Sequence, residues 1–231
     1  MADYLKKYNT VIFDLDGTLL DTLEDLKDAV NHTMKLFGFR ERTLEEVRTF
    51  VGNGVNKLIE KCLPEGMNTP GIEDIISEYR QFYSSHAEIK TKPYDGIEEL
   101  LVKLSEEGIK TAVVSNKLHK AVESLCDTYF SRVSYACGER ESEGIRRKPN
   151  PDMVLDAMNV LSADPDSTIY VGDSEVDILT AANAHIPCVS VTWGFRTKKE
   201  LAEAGANMMV DTPEALCDII LGTGTGKGEA E

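Results

Sequence analysis

No stretch of this 231-residue sequence approaches the ~18 consecutive apolar residues that a membrane helix needs. The opening Met-Ala-Asp-Tyr-Leu-Lys-Lys lacks the apolar run of a secretory signal. A cytoplasmic protein without membrane contact is expected. Basic residues are scarce: 25 lysines and arginines stand against 40 aspartates and glutamates, a formal net charge of −15. So acidic a chain repels nucleic-acid backbones and anionic lipid, which removes both as general partners but leaves room for a local basic pocket. Cysteine is thin and unpatterned. Cys62, Cys126, Cys137, Cys188 and Cys217 are odd in number and form no Cys-x-x-Cys, the usage of free thiols in a reducing compartment. With no secretory signal, the Asn31-His32-Thr33 sequon is a coincidence.

Apolar residues make up 42% of the chain, enough for a sizeable core. Val11-Ile12-Phe13 is a short β-rich run ending in Asp14, and similar runs recur at Ile109–Val114, Val133–Ala136, Ile169–Val171, Pro187–Val191 and Met208–Val210. Helical spacing lies between the later runs: Ile97, Leu100, Leu101 and Leu104; Leu118, Val122 and Leu125; Met153, Leu155, Ala157 and Leu161; Val176, Leu179 and Ala182. Strands alternating with helices predict an α/β fold, a Rossmann-like parallel sheet covered on both faces. From Thr22 to about Glu88 the alternation stops. Leu23, Leu26, Val30, Met34 and Phe37 form one helical stripe, Thr43 and Glu46 make a capping box, and further helices are suggested near 55–62 and 72–86. These helices are marginal alone. They read as an α-helical cap, residues 21–90, inserted into a core of residues 1–20 and 91–221.

Residues 222–231 are Gly-rich and read as a disordered tail. Their Gly-x-Gly-x-Gly-Lys-Gly run is no P-loop: Leu221 occupies the first glycine position and Gly228 the Ser/Thr position.

In open α/β sheets ligands bind outside the carboxyl ends of the strands. The first strand delivers Asp14-Leu-Asp16-Gly-Thr18 there, the next Ser115-Asn116-Lys117, and the strand at Ile169 delivers Gly172-Asp173-Ser-Glu-Val-Asp177. Lys148-Pro-Asn150-Pro151 precedes a helix, with Asn150 expected as its cap and Pro151 as its first residue. Asp211-Thr212-Pro213 repeats that device. Carboxylates converging at one edge repel unless a cation sits among them, and all-oxygen ligands suit Mg²⁺. A lysine and a small hydroxyl beside them make a phosphate cradle.

Asp14-Leu-Asp-Gly-Thr-Leu-Leu-Asp21, Ser115-Asn, Lys148-Pro and Gly172-Asp-Ser-Glu-Val-Asp177 resemble the four motifs of the haloacid dehalogenase superfamily. The helical insert sits where that superfamily's first cap class has it. Over residues 8–220 the chain is most similar to phosphoglycolate phosphatases, with Val51-Gly-Asn-Gly54 and Val191-Thr-Trp-Gly-Phe-Arg196 as supporting stretches. The resemblance implies Asp14 as nucleophile and Asp16 as acid and base. It implies Mg²⁺ on Asp14, the Asp16 backbone carbonyl and Asp173, with Asp177 behind them. Ser115 and Lys148 would hold the phosphoryl oxygens, helped by groups at Thr18 and Asn116. Asp16 also sets the chain apart from the dehalogenases of this fold, which lack a carboxylate there because halide departs unprotonated.

The expected activity is Mg²⁺-dependent hydrolysis of a small phosphorylated metabolite, 2-phosphoglycolate first, by a monomer or homodimer. A mutase similar to β-phosphoglucomutase, a pyrophosphatase and a non-catalytic binding protein of the same fold are the alternatives. Specificity would come from the cap, where Asn53, Asn56 and Lys57 beside Gly52 and Gly54 are the expected contacts. Arg196, Lys198 and Lys199 read as surface, and Tyr8, Trp193 and Phe195 as core.

Overall fold

The computed structural model describes residues 8–64 and 71–223. Of the expected tail, residues 224–231 lie outside that range. In chain order the elements are β1 (Thr10–Phe13), β2 (Leu20–Asp21), α1 (Leu23–Leu36), α2 (Leu44–Phe50), α3 (Gly54–Cys62) and α4 (Ile72–His86). There follow β3 (Lys92–Pro93), α5 (Ile97–Glu106), β4 (Lys110–Leu118), α6 (His119–Tyr129), β5 (Tyr135–Glu139) and α7 (Asp152–Leu161). The chain ends with β6 (Thr168–Gly172), α8 (Glu175–Asn183), β7 (Cys188–Val191), α9 (Lys198–Glu203), β8 (Met209–Val210) and α10 (Pro213–Leu221).

Six strands form one parallel sheet in the order β5-β4-β1-β6-β7-β8. The period-2 alternation of a strand sorts its side chains between two cores. Val11, Phe13, Ile169 and Val171 face the side covered by α5, α6 and α10, whereas Ile12, Ala112, Val114 and Tyr170 face α7 and α8. Successive connections run outward from β1 in both directions, so the order reverses between β1 and β6. The crevice outside that switch point is where this architecture takes ligands. Asp14 and Asp173 follow those two strands.

The helical insertion α1–α4 has an apolar cluster of its own, built on Leu26, Val30, Met34, Ile59, Ile75 and Tyr79. Thr43 and Glu46 form the capping box that starts α2. The chain leaves and re-enters the sheet side through an antiparallel ribbon, Leu20 opposite Pro93 and Asp21 opposite Lys92, which periodicity over two-residue strands cannot announce.

Several local expectations are corrected. Asn150 does not cap α7: its amide donates to the Arg147 carbonyl, Pro151 occupies the cap position, and the helix starts at Asp152. At α10 the expected device is present, with the Thr212 side chain as cap and Pro213 as the first helical residue. Phe37 lies past the end of α1, and Leu155 and Leu179 face solvent at 48% and 51% exposure. All five cysteines are free. Among the described residues no helix is long and apolar enough to cross a membrane.

Candidate active site

Asp14 directly follows β1 with its N–H donated to the Val171 carbonyl at 2.9 Å, so a bond that continues the sheet ladder fixes its backbone. Its carboxylate accepts from the Leu15 N–H at 2.7 Å and meets Lys148 Nζ at 2.8 Å. The chain then turns sharply through Gly17, at φ 84°. A side chain there would collide with the Asp173 carboxylate, as would one at Gly194. The turn brings Asp16 back beside Thr22, whose hydroxyl donates to it at 2.7 Å. Lys117 Nζ grips both Asp16 oxygens, at 2.7 and 2.9 Å.

Lys148 is buried between two carboxylates, 2.8 Å from Asp14 and 2.8 Å from Asp177. Burial alone would lower its pKa, but those two charges outweigh it and hold the ammonium above its ordinary range. Both Asp177 oxygens are hydrogen-bonded. One accepts from Lys148 and the Tyr170 hydroxyl, the other from the Ser174 N–H and hydroxyl. It positions Lys148.

Asp173 accepts from the Phe195 N–H at 2.6 Å and the Thr18 hydroxyl at 3.3 Å. Burial and then the charge of Asp177 push its carboxyl up to about 7. Burial and then Asp177 push Asp14 well above the usual carboxylate range, and Lys148 only partly opposes them. Asp14, Asp173 and Asp177 each offer an oxygen within 4.8 Å of the others, all three buried. One buried lysine against three carboxylates leaves negative charge uncompensated. The oxygen donors and the space left by Gly17 and Gly194 fit a small hard dication such as Mg²⁺.

The expected site residues fall into two groups. Asp14, Asp16, Ser115, Asn116, Lys148 and Asp173 all line one cleft of about 760 Å³, its open mouth included. Ser115 Oγ accepts from the Lys117 N–H and keeps its own O–H to donate. The Asn116 side chain is structural, its amide bonded to the Lys148 backbone and to the Gly52 carbonyl. Thr18 is fully buried, with its hydroxyl turned to Asp173 rather than the cleft.

Three expected cap contacts do not reach the cleft wall. Lys57 is exposed and paired with Glu60 at 2.5 Å. Asn53 sits at the start of α3 with no side-chain cap bond, and Asn56 accepts from Arg80 Nη2 at 3.2 Å. Residues not anticipated stand there instead: Tyr79, Arg80 and Tyr83 of α4, Phe195 and Arg196, together with Lys117 from the β4 strand end. Arg196 is no surface residue. It is buried, pairs with Glu175 at 2.9 Å and donates to the Arg48 and Val51 carbonyls of the insertion, both at 2.9 Å. Arg48 returns the contact to the Phe195 carbonyl.

Comparison with known proteins agrees with this geometry. The family model for haloacid dehalogenase-like hydrolases matches residues 11–191. The phosphoglycolate phosphatase of Agrobacterium fabrum is 34% identical over 95% of each chain. The N-acetylmuramic acid 6-phosphate phosphatase of Pseudomonas aeruginosa is 29% identical over 93% of this chain and 95% of its own. Among solved structures, that of a candidate phosphoglycolate phosphatase from Lactobacillus delbrueckii subsp. bulgaricus has a TM-score of 0.88 at 37% identity, over 94% of this chain and 99% of its own. Such coverage takes in the sheet, the helical insertion and every strand end that carries a motif. The chain therefore belongs to the haloacid dehalogenase-like hydrolases and is a phosphoric monoester hydrolase, similar to the phosphoglycolate phosphatases.

Proposed function

We propose that the phosphoryl group of a small monoester passes first to Asp14 and then to water, with 2-phosphoglycolate as the first substrate to test. The observation that carries this is the placement of Asp14 and Asp16 in one cleft, each on its own buried lysine. An Asp14 oxygen attacks phosphorus in line with the ester bond. As the P–O bond breaks, its electron pair goes to the leaving oxygen, which Asp16 protonates. Asp16, now ionised, takes a proton from a water whose oxygen attacks the acyl phosphate. The bond between phosphorus and the Asp14 oxygen breaks, freeing inorganic phosphate and restoring the carboxylate. Lys148, the Ser115 hydroxyl and the Asn116 backbone hold the phosphoryl oxygens meanwhile.

Asp14, Asp173 and the backbone carbonyl of Asp16 would hold Mg²⁺, which when bound offsets phosphoryl charge and the repulsion among the carboxylates. Residues 21–90 act as the cap over a core of residues 1–20 and 91–221, supported by the separate apolar cluster of α1–α4 and the ribbon that joins them to the sheet. Free cysteines suit a reducing cytoplasm.

The test is phosphate release from a panel of about a hundred phosphate esters with Mg²⁺, wild type beside Asp14→Asn. Release by wild type alone is expected. A phosphorylated product without free phosphate would indicate a mutase, and release by Asp14→Asn would remove Asp14 from the mechanism.

A further inference from the structure

Four cationic side chains line the cleft, and three have acidic partners: Lys148 with Asp14 and Asp177, Lys117 with Asp16, and Arg196 with Glu175. Arg80 is the exception. Among the described residues no carboxylate forms an ion pair with it, and its hydrogen bond runs from Nη2 to the neutral Asn56 amide at 3.2 Å. Its Nε is buried without a hydrogen-bond partner. Three residues along α4, on the same helical face, the Tyr83 hydroxyl is also buried without one.

Buried polar groups in folded proteins are nearly always hydrogen-bonded. Two such groups a turn apart, both on residues lining the cleft, are placed to donate to a bound ligand. Nε can only donate, and a phenol readily does, so the missing partner must accept. Beside a guanidinium that no carboxylate pairs among the described residues, an anion is the acceptor that fits best.

We infer that Arg80 and Tyr83 form a subsite for a carboxylate on the leaving group, so that this phosphatase prefers short phosphorylated hydroxy acids. The inference rests on the hydrolytic reading above and deepens it. Two further features narrow the ligand. Leu26, Val51, Val55 and Leu58 add an apolar stretch to the insertion's part of the wall, and a sugar would leave hydroxyls unpaired against them. One uncompensated guanidinium also balances a single carboxylate better than a second phosphate dianion.

The test compares kcat/KM for 2-phosphoglycolate, its uncharged carboxamide and ethylene glycol bisphosphate, using wild type, Arg80→Met and Tyr83→Phe. Wild type should prefer the carboxylate to the carboxamide, and Arg80→Met should cut that preference roughly 10- to 100-fold, the scale of a lost hydrogen bond to a charged group. Tyr83→Phe, which keeps the ring, should cut it several-fold. The ratio between two substrates of one variant cancels any loss of folded enzyme. Equal rates on carboxylate and carboxamide in wild type, or an unchanged ratio in Arg80→Met, would overturn the subsite. So would a wild-type preference for the bisphosphate. Failure of the hydrolytic reading looks different: wild type with Mg²⁺ would release phosphate from none of the three.

Discussion

Lys117 holds Asp16 by both carboxylate oxygens, at 2.7 and 2.9 Å, from the end of the neighbouring strand. The same ammonium stands 4.7 Å from the centre of the Tyr83 ring. The proposed acid and base is thus fixed by a core residue that also touches the helical insertion, which ties its geometry to how that insertion sits. Lys117→Met should lower kcat by roughly 10- to 100-fold, part of the full worth of an acid–base group, with a smaller change in KM. Steady-state kinetics on a folded variant, verified by circular dichroism, check this. Unchanged kcat would show that Asp16 is positioned without Lys117.

Asp14 and Asp16 should separate by how they fail. Asp14→Asn should abolish turnover, because an amide cannot accept the phosphoryl group. Asp16→Asn should lose about 10²- to 10⁴-fold, the contribution of acid–base catalysis. Phosphate-release assays on both variants decide it, and full activity in either removes that residue from its role.

The motifs that supply Asp14, Asp16, Lys148 and Asp173 were legible because each follows a strand or precedes a helix that periodicity marks. Arg80 and Arg196 were not. On α4, Ile75, Ile76, Tyr79 and Tyr83 form the buried stripe, and an arginine beside such a stripe reads as solvated unless another part of the chain closes over it. Arg196 is buried by carbonyls at positions 48 and 51, almost 150 residues away in sequence. Local spacing carries no information about such a contact. Lys57 misled for the converse reason: glycines beside a basic residue suggested a binding loop, but its helix turns the side chain outward to Glu60.

Arg196 should act as a clasp. Its guanidinium joins Glu175 of α8 to the carbonyls of Arg48 and Val51, so Arg196→Met leaves both carbonyls without that donor. A loss of about 1–3 kcal/mol is expected, together with faster proteolysis around residues 48–54 and a several-fold higher KM. Urea unfolding and limited trypsinolysis measure these. Wild-type stability and cleavage would mean that the insertion docks without the clasp.

The raised carboxyls predict how stability depends on pH and metal. An unfolded aspartate titrates near ~3.9, whereas burial and Asp177 push Asp173 up to about 7. Between those values the native state binds the extra proton. The group's contribution is therefore most favourable at the acidic end and is lost as pH rises from about 4 through 7. Mg²⁺ should reverse that loss by stabilising the ionised form. Thermal melts in EDTA and in Mg²⁺ should differ more at pH 8 than at pH 5. An equal difference at both pH values would disconnect Asp173 from the metal.

The most direct measurement is a rapid acid quench during turnover, followed by peptide mass spectrometry. Enzyme mixed with Mg²⁺ and the best ester of the panel should yield a phosphate on the peptide carrying Asp14, and in Asp16→Asn, once formed, it should be lost more slowly, because the base for hydrolysis of the acyl phosphate is gone. Phosphate on a different residue, or steady release with no covalent phosphate at any quench time in either protein, would contradict transfer through Asp14.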